Sequence, residues 1–359
     1  MPTSEKNKKR ESPSKAQSNL GSAENTLSGR GTGSVTLDDV AKLAGVSPIT
    51  VSRALNYPNK VAPKTLEKIN QAVSRTGYVP NLLAGGLASR RSRLIAAIIP
   101  SIANSVYAET IQHFSDRLRE FGYQVLLGES GYLESREESL ITAVLSRRPD
   151  GIFLTGVNHS MACRRLLAAA NIPVVETWDI TPTPLDVVVG FSHERIGQDV
   201  ANFLLSKGYR TIGVLSAEDH RAQIRQRAFI ETLAKQGVVD VAISTVPTPT
   251  NFRLGREGLA KLLDAGFSGA VFCSSDTLAQ GALAEAQSRN LSVPGQLAIV
   301  GFGDQPYAAY TYPALTTVRF DREVIGQRAA DALMTRINGE VVQERVIDVG
   351  FNIVERQTA

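Results

Sequence analysis

From residue 94 to residue 302, short apolar runs alternate with amphipathic stretches, and this rhythm limits the possible folds more than any other feature of the chain. Apolar runs occupy 94–99, 124–127, 151–154, 173–176, 186–191, 211–215, 242–246, 270–274 and 297–302. Between them, helical apolar spacing marks 104–121, 134–147, 160–170, 193–207, 221–236, 254–264 and 277–289. Strands followed so regularly by helices must be mostly parallel, because each crossover helix returns the chain to the same sheet edge and covers a face. Two such half-length series predict an α/β body of two doubly wound lobes. A run at 316–320, a helix at 322–337 and a final strand near 345–354 complete it.

The segment before this body has another character. Residues 1–34 are rich in Ser, Lys, Asn and Gly and bury too little apolar surface to offset ordering entropy, which predicts a disordered tail. Helical spacing follows at 36–44, 47–55 and 63–76. Up to Arg93 the chain carries 15 Lys/Arg against 6 Asp/Glu, a net of +9, and the remainder is −5. A basic head on a mildly acidic body fits a polyanionic partner, although a charge count alone also fits a solvated tail.

Cys163 and Cys273 stand far apart with no CxxC or His spacing, so they read as buried small hydrophobes, with no metal site. The N-terminus lacks an apolar signal region and no run of about 18 apolar residues occurs, which points to a cytoplasmic protein without a membrane partner. Neither GxGxxG after the first strand nor GxxxxGK[ST] is present, and no nucleophile or carboxylate pair is signalled. The expectation is a non-enzyme without a cofactor.

Residues 35–56 read VTLDDVAKLAGVSPITVSRALN. Thr36 with Asp39, and Ser47 with Pro48, are helix-start signals, and Gly45 supplies a turn between two short helices. In a helix-turn-helix the second helix enters the major groove by its start, so Pro48, Ile49, Thr50 and Arg53 face DNA. Thr50 and Ser52 suit phosphates, and Arg53 suits a guanine edge or a phosphate. Pro48 and Ile49 discriminate only by shape and thymine-methyl contact. The same periodicity fits a plain two-helix hairpin.

The string itself resembles the head of the lactose/galactose repressor (LacI) family, matching TxxDVAxxAGVSxxTVSRxLN almost without a break. The resemblance runs from residue 35 to the C-terminus. It implies an all-α helix-turn-helix domain at 35–80 and a hinge helix or linker at 81–92. An effector-binding and dimerisation domain fills 93–359, with a periplasmic-binding-protein-like two-lobed fold. By chain order the N-lobe takes about 93–189 and 320–343, and the C-lobe about 190–318 and 344–356. The implied DNA contacts add Thr36, Ser47, Asn56, Tyr78 and Asn81. By position Ala84 and Leu87 would wedge into the minor groove. Gly85 and Gly86 should cost that hinge helix roughly 2 kcal/mol relative to alanine. Arg90, Arg91 and Arg93 follow as phosphate contacts or as a solvated linker.

In the body, the positions implied to touch effector are Asn104, Tyr107, Thr155, His159, Glu176, Trp178, Arg225, Phe252, Ser275, Asp276 and Arg322. Each also has a duller reading, such as a helix cap for Asp276 or core for Trp178. Two departures from the family matter. Gly303 stands where many relatives have a sugar-binding aspartate, and Trp178 replaces another carboxylate. Losing both while keeping Arg225 and Arg322 favours an anionic effector. The strings VVExxD, VVVGF, VFCxxD and DREVIG look most like the gluconate-operon repressor branch. The resemblance therefore implies a homodimeric repressor that binds double-stranded operator DNA under control of a sugar acid such as gluconate or 2-ketogluconate. The alternatives are the same regulator answering to a neutral sugar or nucleoside and, more distantly, a sugar-binding transport component.

Overall fold

A computed structural model describes residues 35–79 and 91–359. The tail at 1–34 and the hinge positions Asn81, Ala84 and Leu87 lie outside the described residues. The chain forms two units, Met1–Asn81 and Leu82–Ala359.

In the first unit, Thr36 starts helix α1 (Leu37–Ala44) with a capping box: its hydroxyl accepts from the Asp39 amide while the Asp39 carboxylate accepts from the Thr36 amide at 2.9 Å. Gly45 ends α1 in the left-handed region at φ 67°, which a side chain would disfavour. Ser47 caps α2 (Pro48–Asn56), and α3 (Pro63–Thr76) closes over both. Val40, Ala41, Ala44, Val51, Ala54, Ile69 and Ala72 make the small core between the three helices.

The second unit holds two six-stranded sheets. The first has order β11-β5-β4-β3-β1-β2, built from β1 (Leu94–Ile99), β2 (Gln124–Glu129), β3 (Gly151–Thr155), β4 (Val174–Thr177), β5 (Val187–Gly190) and β11 (Val346–Asp348). Its helices are α4 (Ser105–Glu120), α5 (Glu134–Leu145), α6 (Met161–Ala170) and α11 (Arg322–Ile337). The second has order β12-β10-β9-β8-β6-β7, from β6 (Ile212–Ala217), β7 (Ala242–Val246), β8 (Ala270–Cys273), β9 (Ala298–Phe302), β10 (Thr316–Arg319) and β12 (Asn352–Val354). Around it lie α7 (His193–Ser206), α8 (His220–Lys235), α9 (Phe252–Asp264) and α10 (Asp276–Ser288). Every pairing is parallel except β12 against β10. Central strands such as Ile95–Ile99 and 212–217 are buried on both faces, which explains their near-continuous apolar runs. Cys163 and Cys273 are both free and buried.

The chain passes between lobes three times, after β5, after β10 and after β11. One boundary differs from expectation. The single strand predicted near 345–354 is two strands in different lobes: Val346–Asp348 pairs with β5, and Asn352–Val354 pairs with β10. Residues 346–348 therefore belong to the first lobe, although 344–356 was assigned to the second. The apolar alternation runs through Val346, Ile347, Val349, Phe351 and Ile353 without interruption, so hydropathy conceals the break. Gly350, at φ 67°, is its local mark.

Close helix packing sets the position of α8. A Cβ on Gly197 of α7 would run into the Arg225 carbonyl oxygen and come within 3.0 Å of Ala228 Cβ. Gly197→Ala is expected to push α7 from α8 and lower stability by about 1–3 kcal/mol. A lower urea midpoint at unchanged slope would show it.

Candidate functional site

Helix α2 turns Val51 and Ala54 into the head's core, which leaves Ile49, Ser52, Arg53 and Asn56 at i, i+3, i+4 and i+7 on the outer face. Ile49 is 73% exposed, and Arg53 and Pro48 are exposed beside it. A large aliphatic side chain held outward next to a cation gains nothing from folding. Ser47 and Thr50 are engaged locally: their hydroxyls lie 2.9 Å apart and Ser47 caps the helix. Asn56 donates from Nδ2 to the Ser52 carbonyl at 2.8 Å. Tyr78 packs partly against the head's core, and Thr36 is occupied by its capping box. At the start of the body, Arg91 and Arg93 donate to the Ile337 and Phe121 carbonyls, so both guanidinium groups are tied to the first lobe.

Between the two lobes, at the carboxyl ends of the strands, lies a cleft of two compartments. The inner one, of about 60 Å³, is walled by Asn104, Tyr107, Trp178, His193, Arg221 and Arg225, with Ser275 and Gly303 at its C-lobe side. Arg225 is only 4% exposed. Its Nη1 donates to His193 Nδ1 at 2.9 Å and its Nη2 to the Ser274 carbonyl at 3.0 Å, while Nε meets no acceptor. An arginine can only donate, so His193 Nδ1 accepts and its proton sits on Nε2, which donates to the Trp178 carbonyl at 2.8 Å. Burial, then the adjacent Arg225 charge, holds the His193 imidazole well below its ordinary range and neutral. Burial likewise lowers Arg225 to about 10, opposed by Asp219 and reinforced by Arg221. The Arg225 guanidinium lies 3.9 Å from the Phe302 ring centre.

One helical turn earlier, Arg221 donates from Nη2 to the Tyr107 hydroxyl at 2.7 Å, joining second lobe to first, and its Nη1 meets no acceptor. Among the described residues neither Arg221 nor Arg225 forms an ion pair with a carboxylate within 4.0 Å. Two guanidinium groups thus meet in one small space whose wall also holds Asp219, with no carboxylate close enough to pair with either.

The outer compartment, of about 220 Å³, shares Tyr132, Asp219 and Arg221 with the inner one and adds Ser130, Glu137, Thr155 and Asp179. A larger hollow of 670 Å³ around Leu167, Pro173 and Arg336 opens at the amino ends of β4 and β5. There Arg336 is already paired with Asp186 at 3.0 Å, so the cleft is the better ligand site despite its smaller size.

Of the eleven positions expected to touch effector, Asn104, Tyr107, Trp178, Arg225 and Ser275 wall the inner compartment and Thr155 the outer. Gly303 lines the inner wall as well, so both positions where a carboxylate is replaced face the cleft. Five others are placed elsewhere. His159 and Glu176 face each other inside the first lobe: His159 Nδ1 donates to Glu137 at 3.1 Å, and Nε2 lies 3.5 Å from Glu176 Oε1. Burial opposes the His159 charge, but Glu137 and Glu176 together raise it to about 9. Asp276 is buried beneath the 303–305 loop, accepting from the Gln305 amide at 2.7 Å and Thr317 Oγ1 at 2.5 Å. Burial raises its carboxyl to about 6. Arg322 bridges the lobes outside the pocket, donating to the Gly303 and Asp304 carbonyls and pairing with Glu109 at 2.7 Å. Phe252, 52% exposed, begins α9 away from the cleft, and Thr250 takes the wall position. The residues missed were Arg221, His193, Asp179, Asp219 and Tyr132. Only Arg221 had a local signal, its four-residue spacing from Arg225 along one helix face.

With this geometry in view, the profile of bacterial regulatory proteins, lacI family, matches residues 36–81, and a periplasmic binding protein-like domain matches residues 201–359. The HTH-type transcriptional regulator GntR of Pseudomonas aeruginosa is 39% identical over 333 residues, covering 92% of this chain and 97% of the relative. The chain belongs to the LacI family. It is a DNA-binding transcriptional regulator and not an enzyme. A LacI-family regulator from Silicibacter pomeroyi, 34% identical, superposes with a TM-score of 0.83 over 90% of this chain and 99% of its own. The lac repressor dimer bound to operator and the anti-inducer ONPF superposes at 0.77, with 25% identity over 90% and 98%. Family members thus bind operator DNA and small molecules. No described helix of this LacI-family regulator is long and apolar enough to cross a membrane.

The His159 cluster gives a pH prediction. Its folded value, raised to about 9 from 6.5, stabilises the body fully below pH 6.5, and this contribution is lost as pH rises towards 9. The urea midpoint of the wild type is expected to fall between pH 6.5 and 9, by an amount worth roughly 3 kcal/mol at most. In His159→Gln that fall should largely disappear.

Proposed function

We propose that this regulator is a homodimeric repressor of sugar-acid catabolism whose operator affinity is set by a sugar acid, of the gluconate or 2-ketogluconate type, bound between the lobes. The observation that carries the effector class is the pair of buried guanidinium groups, Arg221 and Arg225, without a carboxylate partner. A neutral hexose offers no charged acceptor, whereas a carboxylate accepts from the free Arg225 Nε and Arg221 Nη1. Glycine at 303 and tryptophan at 178 remove two acidic groups that would repel it. The resemblance to the GntR regulator supports the same branch.

Control requires the effector to prefer one arrangement of the lobes. Side chains that join the lobes at the cleft include Arg221 to Tyr107, His193 to the Trp178 carbonyl, Ser105 Oγ to Gln305 Oε1 at 2.9 Å, and Arg322 to the 303–304 carbonyls. An anion on Arg221 alters the first of these directly. The coupling to DNA is then as large as the effector's preference between states, typically about 1–3 kcal/mol. A dimer is supported by the edge strand β2, whose Leu126 and Leu127 are each 39% exposed, and by the similar lac repressor, which is a dimer on its operator.

The test is fluorescence anisotropy of the full chain on palindromic fragments from upstream of its own gene. Gluconate or 2-ketogluconate is expected to shift the affinity roughly 5- to 150-fold, and glucose to leave it unchanged. A shift by glucose or a nucleoside with none by the acids would overturn the effector reading. Arg53→Ala should weaken specific binding by about 1–3 kcal/mol with the thermal midpoint unchanged.

A further inference from the structure

The two compartments differ in what they can bond to. The inner one offers donors: the free Arg225 Nε and Arg221 Nη1 both lie at its wall. The outer one offers acceptors, since Glu137, Asp179, Glu218 and Asp219 line it. Asp219 belongs to both walls, but its Oδ1 already accepts from the Ala222 amide at 3.0 Å, as the cap of α8. Asp179 accepts only from its neighbour, the Ile180 amide at 2.8 Å, and burial raises its carboxyl. Glu137 is pinned by His159 with its carboxylate at the outer wall.

This asymmetry fixes polarity. A ligand carboxylate only accepts hydrogen bonds, so it belongs with arginines and is repelled by carboxylates. A hydroxyl can donate, so it suits carboxylates. Size leads to the same assignment. At about 60 Å³ the inner compartment has room for roughly four waters, counting about 15 Å³ for each. That suffices for a carboxylate and the carbon beside it, not for a six-carbon acid. The remaining chain requires the outer space of about 220 Å³, and Arg221 is the cation common to both.

We propose, resting on the sugar-acid reading above, that the effector is an open-chain polyhydroxy monocarboxylate lying lengthwise through the cleft, carboxylate inward on Arg225 and Arg221, hydroxyl tail outward on Asp179 and Glu137. The carboxylate end supplies the charge match and the tail length supplies selectivity. Asp179 is a specificity-determining residue that favours ligands long enough to reach it.

Calorimetric titration of the full chain with glycerate, ribonate, gluconate and glucitol tests this. Affinity is expected to rise along the three acids, gluconate exceeding glycerate by at least about tenfold, because its tail adds bonds to charged acceptors. Glucitol, the same length without the carboxylate, should bind at least about a hundredfold more weakly than gluconate. Asp179→Asn, nearly isosteric, should weaken gluconate about tenfold without weakening glycerate. Glycerate binding as tightly as gluconate, or Asp179→Asn weakening both alike, would overturn the polarity while leaving the sugar-acid reading in place. Glucitol matching gluconate, or no acid binding at all, would overturn both. The wild-type series decides the matter even where the variant fails to fold.

Discussion

A guanidinium group taken out of water needs acceptors, and at Arg225 the protein provides only two neutral ones, the His193 imidazole and the Ser274 carbonyl. Arg221, one turn away, is held by a phenol rather than a carboxylate. The cost of this arrangement must be met by packing elsewhere: α8 is locked against α7 at Gly197, and the Phe302 ring lies under the Arg225 guanidinium. Binding sites differ from structural ion pairs in this respect. A structural pair such as Arg336 with Asp186 is complete within the protein, whereas Arg225 Nε and Arg221 Nη1 meet no acceptor there.

The same groups join the site to both lobes. His193 opens α7 just beyond the first crossover, bonding to the Trp178 carbonyl of the first lobe and to Arg225 of the second. Trp178 itself takes φ 69°, unusual for a bulky residue, with its ring edge-on to Tyr107 and Phe320. Tyr107 in turn bonds to Arg221. The arginine pair, crossover and interlobe contact therefore form one connected set, with Arg322 and Gln305 bracing its rim.

The fold was legible because its signals are local. Apolar period separated strands from helices, Thr36 and Ser47 marked helix starts, and the 35–56 string carried the head. The boundary error at 345–354 arose because two strands of unlike partnership share one continuous alternation. The site was legible only in part. The resemblance put Arg225, Trp178 and Tyr107 at the cleft wall, where loops at the carboxyl ends of parallel strands converge. It misplaced His159, Glu176 and Asp276, because whether a polar side chain at a strand end turns to the cleft or into its own lobe depends on partners remote in sequence. Glu137 is 22 residues from His159, and Thr317 is 41 from Asp276. Asp179 and Asp219 were overlooked for the complementary reason: a carboxylate after a strand looks the same whether it caps a helix or lines a cavity.

The most direct measurement of the central idea, that the buried arginine pair is completed by a carboxylate, is the arginine Nε–H nuclear magnetic resonance signal of Arg225. Gluconate is expected to shift that signal downfield and slow its exchange with solvent, because the Nε–H that meets no acceptor gains a charged one. Gluconate binding with the Arg225 signal unmoved would contradict the idea.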